Sequence, residues 1–466
     1  MLTMQIPENI SRRELLKGIC GGVIAGGLTM FPWSSGCRKT SSSKPVNIIL
    51  ITLDTTRADS LGCYGYKRDT SPCLDKLANE SVLYTRALAT SSWTLPSHAS
   101  LFTGKFTSSH GARYDPEGPL SLASALDPNS EHYRKHRART ISSQENTLAQ
   151  ILQDAGYVTG AVVSGPWLKK VFGLDKGFDH YADDQITALN GKKASDVTSQ
   201  ALRWLKRIGS DPFFLFLNYF DPHYPYNPPG EFLHAFLPAD GRPVENITSP
   251  EDLRALYDAE ILYMDYHIGQ LLINLKTLGL YDNTLIIVTS DHGELFGEHG
   301  QMGHGNTLYQ EELHVPLMVK YPGSELGARR EDRAIQLIDI LPMILNRLNI
   351  PFPPGIQGNA PPDIAHPILA EVYPLAFRQG YQGEWRALYE GSFKFLWNSQ
   401  GNSLLVNLDD DPRETVNLID RYGEKARAME ATIEALLASL PKPGPAGPQQ
   451  KIDEHTREAL QSLGYL

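Results

Sequence analysis

Acidic and histidine side chains follow two of the apolar runs in this sequence, where buried strands are predicted to end. Asp54 follows residues 46–53, and Asp291 and His292 come shortly after residues 284–289. Continuous apolar runs with β-branched residues are typical of central strands that are covered on both faces. Open α/β sheets bind ligands at the carboxyl ends of such strands. Carboxylates and imidazole there could bind a cation, although a lone Asp after a strand is more often a helix cap.

Thr94 is a candidate nucleophile because of its place in residues 91–104. This stretch predicts a tight turn followed by a short helix. Pro96 suits the first helical position, and Gly104 suits the left-handed residue after the helix end. An alcohol at a helix N-terminus can attack an anionic group if its pKa is lowered. The simpler alternative is that Thr94 only caps the helix.

Several segments, in chain order, resemble the motifs of the sulfatase family in the alkaline-phosphatase superfamily. Residues 91–104 resemble its nucleophile segment, Cys-x-Pro-Ser-Arg followed by Leu-x-Thr-Gly, with Thr94 at the Cys position and His98 at the Arg position. The resemblance implies an α/β fold: a large sandwich with a mostly parallel central sheet, and a small C-terminal α+β lobe with an antiparallel sheet. Other similar segments are residues 54–59, 109–111, 221–226, 290–294 and 405–418.

The resemblance implies that Asp54, Asp291, His292 and the Thr94 hydroxyl bind one divalent metal ion, which is Mn, Zn, Ca or Mg. Thr55 stands where the family has a second Asp, which removes one ligand. Sulfatases often have Asn at the position of His292 and bind calcium. An imidazole there favours a transition metal.

The resemblance also implies roles for four side chains around the nucleophile. His223, and His304 where many members have Lys, are expected to act in catalysis and to contact the leaving and equatorial oxygens of the substrate. His98 is expected to bind substrate, and Arg57 to orient Asp54 or the nucleophile. The alternative for His223 is an ordinary turn residue.

These features predict a metal-dependent hydrolase of sulfate or phosphate esters with Thr94 as an unmodified nucleophile. Oxidation of a threonine would give a ketone rather than the aldehyde that sulfatases form from Cys, so the site resembles superfamily members that use Thr on phosphoryl groups. Two alternatives stay open: a phosphoryl-linked group transferase acting on envelope glycans or lipids, and a non-catalytic binding protein. The expected partner is a sulfated or phosphorylated small molecule, glycan or lipid headgroup.

Residues 114–143 make a connection that is longer than is usual in the family. It contains a basic and aromatic run from Glu131 to Arg139. Because this connection follows the nucleophile segment, it could line the site and bind a negative group of the substrate. A solvated charged loop is an equally good interpretation.

Residues 1–36 resemble a twin-arginine signal peptide, with Arg12 and Arg13 before a glycine-rich apolar run that is too short for a good membrane span. Cys37 is a candidate for lipid attachment, and residues 37–45 are a tether. The prediction is export by the twin-arginine machinery to the periplasm or cell envelope, with a membrane anchor if Cys37 is lipidated. A plain N-terminal anchor helix is the alternative.

The remaining chain divides into a catalytic domain (46–360), a small C-terminal lobe (361–440), and a flexible link with a docking tail (441–466). The net charge of −10 argues against a general nucleic-acid binder, so no nucleic acid is expected as a partner. Cys63 and Cys73 are the cysteines outside the N-terminal segment. They could pair in an oxidising compartment, but two buried thiols are the favoured interpretation.

Overall fold

The computed structural model describes residues 45–187, 189–238, 243–374 and 383–445. The predicted signal peptide, Cys37, nearly all of the predicted tether and most of the predicted tail lie outside the described residues. Within the described ranges, no helix combines the length and the apolar composition that crossing a membrane requires.

Four sheets contain the strands of the described chain. These strands are β1 (Asn47–Leu53), β2 (Val82–Leu88), β3 (Arg113–Tyr114), β4 (Leu120–Ser121), β5 (Arg137–Arg139), β6 (Val158–Val162), β7 (His180–Ala182), β8 (Phe213–Tyr219), β9 (Thr284–Thr289), β10 (Leu295–Phe296), β11 (Met302–Gly303), β12 (His314–Lys320), β13 (Arg329–Glu331), β14 (Ile335–Gln336), β15 (Ile368–Val372), β16 (Trp385–Glu390), β17 (Phe393–Asn398) and β18 (Leu404–Asn407).

The helices lie mostly on the two faces of the largest sheet. The α-helices of the described chain are α1 (Pro72–Ala78), α2 (Thr94–Thr103), α3 (Thr107–His110), α4 (Leu122–Ala125), α5 (Glu131–Arg134), α6 (Leu148–Asp154), α7 (Ala194–Leu205), α8 (Gly230–Leu233), α9 (Pro250–Thr277), α10 (Gln310–Leu313), α11 (Ile340–Leu348) and α12 (Gly423–Ser439).

The central sheet has the strand order β13-β2-β12-β9-β1-β8-β6-β7, with β14 beside β2. The strands from β9 to β7 are parallel to one another, and β12 is antiparallel to both β9 and β2. The sheet is therefore mixed and mostly parallel, which confirms the predicted fold class. The apolar runs that predicted buried strands are β1 and β9, and every residue of both is buried.

Alternation along β1 explains why the sheet is covered on both faces. Ile48 and Leu50 belong to one hydrophobic core, which includes residues of α2 and α11. Ile49 and Ile51 belong to a second core, which includes residues of α7 and α9. Because successive side chains of a strand point to opposite faces, one apolar run supplies both cores. All ten residues of α2 are buried, so its N-terminus is fixed at the centre of the molecule.

The C-terminal region has its own sheet, and it shares its hydrophobic core with Phe106 and Ile338 of the larger region. Strands β15, β16, β17 and β18 form an antiparallel sheet in chain order, and residues of α12 pack against it. Residues of the long connection form a smaller antiparallel sheet, β3-β5-β4. Cys63 and Cys73 are both free thiols, with Cys73 buried and Cys63 half-buried.

Candidate active site and metal centre

The carboxyl ends of β1 and β9 bring the three predicted protein ligands of the metal together. Asp54 follows β1, and Asp291 and His292 follow the neighbouring parallel strand β9. One ligand atom from each residue lies within 4.8 Å of the other two, and all three residues are buried. Asn218 on β8, the other neighbour of β1, donates a hydrogen bond from Nδ2 to Asp54 Oδ2 at 3.3 Å. Three adjacent parallel strands therefore assemble this group.

Two acceptor atoms face each other within the group. His292 Nδ1–H donates to the Gly293 carbonyl at 2.9 Å, so the Nε2 of the neutral ring carries its lone pair. This Nε2 lies 3.3 Å from Asp291 Oδ2. Asp54 Oδ1 is also buried, without a hydrogen-bond partner among the described residues. Buried acceptors in this arrangement need a positive charge between them, so the donor set fits a divalent cation.

The electrostatics of the group agree with a cation site. Burial raises the pKa of Asp54 well above its ordinary value, and the Asp291 carboxylate raises it further. Burial also raises the pKa of Asp291 to about 6 and lowers the pKa of His292 to about 3. The imidazole is therefore neutral near pH 7, while two carboxylates are held where negative charge is costly. A bound cation would reverse that cost.

Thr94 is the first residue of α2, and Trp93 is the N-cap. The Oγ1 of Thr94 lies 3.4 Å from His292 Nε2, and the residue is 2% exposed. Thr94 is therefore not the N-cap that the simpler alternative required. Its hydroxyl lies beside the lone pair of His292, at the positive end of the α2 dipole.

Thr55 stands at the position of the second family carboxylate, and its hydroxyl does not serve as a replacement ligand. Its hydroxyl donates to the Pro222 carbonyl at 2.6 Å, and its N–H donates to Asp291 Oδ1 at 3.4 Å. Its φ of 54° is unusual for a β-branched residue. The side chain thus fastens the loop after β1 to the segment after β8.

His98 lies beneath the site, which differs from its predicted role in binding substrate. The side chain is fully buried, and Nδ1–H donates to the Thr94 carbonyl at 2.8 Å. Its Nε2 accepts from the Thr52 hydroxyl at 3.0 Å. Both ring nitrogens are therefore occupied within the protein. The structure corrects the prediction: His98 positions the start of α2 and has no exposed atom that could meet a substrate.

Arg57 is also placed differently from the prediction that it orients Asp54 or Thr94. Its guanidinium donates to both carboxylate oxygens of Asp59 at 2.8 and 2.6 Å, to Glu298 at 2.7 Å and to the Glu294 carbonyl at 3.1 Å. These bonds fix the loop that follows His292. The contribution of Arg57 to the site is therefore indirect, through the backbone of that loop.

His304 lies close to the metal ligands, as its correspondence to the family Lys predicts. Its ring centroid is 4.4 Å from that of His292 and 5.0 Å from that of His223. His304 Nδ1 and Glu294 Oε1 are 3.0 Å apart, and the Tyr226 hydroxyl donates to the other oxygen of Glu294 at 3.3 Å. The contact with Glu294 thus holds the His304 ring beside the metal ligands.

His223 completes a group of three imidazoles. Its ring stacks on Phe220 with centroids 4.3 Å apart, and Nδ1–H donates to the Tyr224 carbonyl at 2.6 Å. Burial lowers the pKa of His223 below its ordinary value, and the neighbouring His304 lowers it further. The resting ring is therefore neutral, and it must gain a proton before it can act as an acid.

A cleft of about 590 Å³ opens beside these imidazoles. Its walls are mainly aromatic and aliphatic, and Trp93 meets Trp167 edge-to-face with centroids 5.1 Å apart. His132 and His136 of the connection 114–143 line the same cleft. The connection therefore lines the site, as one of its two interpretations supposed. The other lining residues are Leu122, Leu189, His223, Tyr224, Tyr226, Leu253, Glu294, Met302, Gly303, His304 and Gly305.

The sulfatase family model matches residues 46–350 of this chain. The chain belongs to the sulfatase family. An arylsulfatase of Clostridium perfringens is 25% identical over 468 residues, which cover 82% of this chain and 92% of that protein. Members of this family are ester hydrolases of the alkaline-phosphatase superfamily.

Solved structures show the same fold. A protein in complex with its substrate, D-glucosamine-2-N,6-O-disulfate, superposes with a TM-score of 0.69 at 19% identity, covering 89% of this chain and all of that chain. The phosphonate monoester hydrolase of Agrobacterium radiobacter superposes with a TM-score of 0.65 at 20% identity, covering 84% and 95%. The predicted alkaline-phosphatase-like fold is confirmed.

A second cluster with metal-ligand chemistry lies elsewhere in this sulfatase-family chain. Ligand atoms of His299, Glu311 and Glu414 lie within 4.8 Å of one another. Glu414 already has a cation, because Lys394 Nζ lies 2.7 Å from its Oε1 and both side chains are fully buried. Its Oε2 accepts the Gln310 N–H at 2.6 Å. The protein itself therefore supplies positive charge to this cluster.

Sequence reasoning missed two side chains of the site, Asn218 and Glu294. Asn218 interrupts the apolar run 213–220, and an amide in a buried strand is a signal because it needs hydrogen-bond partners. Glu294 is two residues beyond His292, but its bond to His304 joins residues ten apart across a loop. No spacing rule gives that contact.

Proposed function

We propose that this chain hydrolyses sulfate or phosphate monoesters, with unmodified Thr94 as the nucleophile and one divalent cation held by Asp54, Asp291 and His292. The observation that carries the proposal is the 3.4 Å between Thr94 Oγ1 and His292 Nε2. The hydroxyl at the start of a buried helix thereby adjoins a group of ligand atoms that has no cationic side chain among the described residues. Membership of the sulfatase family supports the ester class.

The cation would lower the pKa of the adjacent alcohol and offset the charge of the substrate. The chain's own groups do the remaining work. His98 holds the Thr94 carbonyl, and Asn218 orients Asp54. The backbone N–H groups at the start of α2 favour negative charge on the hydroxyl oxygen. His304 and His223 would hydrogen-bond oxygens of the transferred group.

The proposed reaction has two displacement steps. The Thr94 oxygen forms a bond to phosphorus or sulfur while the bond to the leaving oxygen breaks, and the hydroxyl proton passes to the alcohol that departs. Water then attacks the same centre, restores the Thr94 hydroxyl and releases phosphate or sulfate. Neither step needs an oxidant or a maturing enzyme.

The test uses purified protein loaded with Mn²⁺, Zn²⁺ or Ca²⁺, and 4-nitrophenyl sulfate, phosphate and methylphosphonate as substrates. Thr94→Ala should remove turnover, while Thr94→Ser, which keeps the hydroxyl, should retain part of it. Thr103→Ala is the matched control, because it removes a hydroxyl from the same buried helix that donates only to the Ala99 carbonyl.

Metal-dependent turnover that survives in Thr94→Ala would overturn the nucleophile. Absence of turnover in the wild-type protein on every ester, despite stoichiometric metal binding, would overturn the hydrolase and favour a binding role. The substrate that is turned over fastest decides between the sulfate and phosphate branches of the proposal.

We also propose that the protein is exported. The support is the pair Arg12 and Arg13 before a glycine-rich apolar run, with Cys37 beyond it. Replacing both arginines by Lys should leave the protein in the cytoplasmic fraction of its host. Cys37→Ser should release it from the membrane fraction if the thiol carries a lipid.

A further inference from the structure

We propose that Glu312 is a positioning residue of the active site, which sets the place of His304 relative to the metal ligand His292. Glu312 is fully buried on α10, and it contacts both of the loops that carry these imidazoles. The role of His304 in turnover rests on the proposed function, because His304 is taken to contact the transferred group of the ester. The place that Glu312 gives to the His304 loop does not depend on that reaction.

The main chain of α10 holds the loop that follows His292. Gly293 N–H donates to the Glu312 carbonyl at 2.8 Å. The approach is close, because a Cβ at Gly293 would lie 2.0 Å from the Glu311 carbonyl oxygen. The Gly293 carbonyl in turn accepts the Nδ1–H of His292 at 2.9 Å. The backbone of α10 therefore fixes the residue against which this imidazole is oriented.

The side chain of Glu312 holds the loop that carries His304. Its Oε1 accepts the Gly305 N–H at 3.1 Å. Its Oε2 accepts the Thr307 hydroxyl. One carboxyl therefore anchors the main chain directly after His304 and a side chain further along the same loop. Through its main chain and its side chain, Glu312 joins the two loops at one buried point.

The His304 loop needs such an anchor because glycines flank the histidine. Gly303 and Gly305 both have a φ of 86°, in the left-handed region that glycine adopts freely. Before His304, the pairing of β11 with β10 fixes the main chain, and after it the Glu312 carboxyl does so. Glu294 contacts the His304 ring itself at 3.0 Å. The ring and the main chain of His304 are thus positioned by different carboxyl groups.

The C-terminal region fixes the start of α10. Gln310 N–H donates to Glu414 Oε2 at 2.6 Å. The Tyr389 hydroxyl donates to Gln310 Oε1 at 2.7 Å. Because α10 is only four residues long, these bonds also fix the place of Glu312. The two active-site loops are therefore joined through a helix that is itself held from the side of the C-terminal sheet.

The test begins with Glu312→Ala, assayed on the ester that the wild-type protein turns over fastest. The kcat should fall on the order of tenfold or more, because small displacements of groups at a reacting centre are costly, and KM should change less. Metal stoichiometry should be retained, since Gly293 is bonded to the main chain of residue 312. Glu312→Gln should keep most of the kcat, because its amide has an acceptor for Gly305 and a partner for Thr307. Burial raises the pKa of Glu312 to about 8, so this variant loses little charge at pH 7.

A second background shows whether Glu312 acts through His304. In His304→Ala protein, the further change Glu312→Ala should cost little additional kcat, because the group that it positions is already absent. Thr307→Val removes one of the two side-chain contacts, so it should give a smaller loss with the same dependence on His304. A cost of Glu312→Ala that is equal in both backgrounds, or a wild-type kcat in Glu312→Ala, would overturn the proposal.

Asp265→Ala is the matched control for loss of a buried carboxyl. Asp265 lies on α9 and accepts the N–H groups of Cys73 and Leu74 at 2.9 and 2.8 Å. Its removal takes a comparable pair of hydrogen bonds from the contact between α9 and α1. The kcat per folded molecule should stay at the wild-type value. A loss as large as that of Glu312→Ala would show a general effect of destabilisation and would overturn the positioning role.

Hydrogen–deuterium exchange separates failure of this inference from failure of the hydrolase. Exchange of the amides in residues 303–307 needs no turnover. It should be faster in Glu312→Ala than in the wild-type protein, and unchanged in Glu312→Gln and Asp265→Ala. If the wild-type protein hydrolyses no ester but this difference is present, the hydrolase is wrong and the anchoring of the His304 loop stands. If the difference is absent, the positioning role is wrong whatever the turnover.

Discussion

Two clusters of metal-type ligands in the described part of this molecule differ in whether the chain supplies its own cation. At Asp54, Asp291 and His292, the imidazole is neutral and its lone pair faces a carboxylate oxygen at 3.3 Å. At Glu414, Lys394 Nζ lies 2.7 Å from the carboxylate. The second arrangement is complete with protein groups alone. The first offers ligand atoms without a cationic side chain, which fits a bound cation, so similar residue types have different meanings in the two places.

The largest effect is expected at the first cluster. Asp291→Asn keeps the shape of the side chain but removes a charged ligand, and changes in the surroundings of a ligand already cost about 10–100-fold in metal affinity. Loss of a ligand should therefore weaken binding more than about 100-fold and abolish turnover. Metal content of the dialysed protein, measured by elemental analysis, checks this.

Glu311→Gln is the matched control from the second cluster, and it should retain the metal stoichiometry of the wild-type protein. If Glu311→Gln lost a metal ion, the contrast between the two clusters would fail. The second cluster would then also be a cation site.

The next effect concerns stability and not metal. Lys394→Met leaves Glu414 buried without a cation, and breaking a buried pair costs about 3–5 kcal/mol. The unfolding midpoint in denaturant should fall, with metal content unchanged. The double variant Lys394→Met, Glu414→Gln removes the uncompensated charge and should recover much of the loss. A single variant as stable as the wild-type protein would show that the pair is not a charge partnership.

His98 tests how the first cluster is supported from below. Replacement by Ala removes the hydrogen bond to the Thr94 carbonyl. It also removes the Nδ1–H group, whose nitrogen lies 3.5 Å from Asp291 Oδ2. Supporting groups of a metal site contribute about 10–100-fold in affinity or activity, so kcat should fall by that range with a smaller change in KM. A change confined to KM would indicate that His98 meets the substrate after all.

The fold was predictable because its signals are local. The run before Asp54 and the run before Asp291 are buried strands whose ends lie at one edge, and this pattern needs no knowledge of distant contacts. The roles of His98 and Arg57 were not predictable in that way. A motif position indicates which residue is near the nucleophile, but not whether its side chain points towards the cleft or towards the core. For His98, the packing of α2 against β1 determines this direction.

The smallest expected effect comes from another ion pair, in which the chain supplies a cation that depends on pH. His366 Nε2 lies 2.7 Å from Asp339 Oδ1. Burial lowers the pKa of His366, but the hydrogen bond and charge of Asp339 outweigh this and raise it above its ordinary value. A raised pKa in the folded state stabilises the protein below the unfolded value of about 6.5, and this contribution is lost as pH rises through the folded pKa.

His366→Gln should therefore cost about 1 kcal/mol near pH 5.5 and less at pH 9. Denaturant unfolding of both proteins at the two pH values measures this, and a cost that grows with pH would show that the pair is not held by an imidazolium.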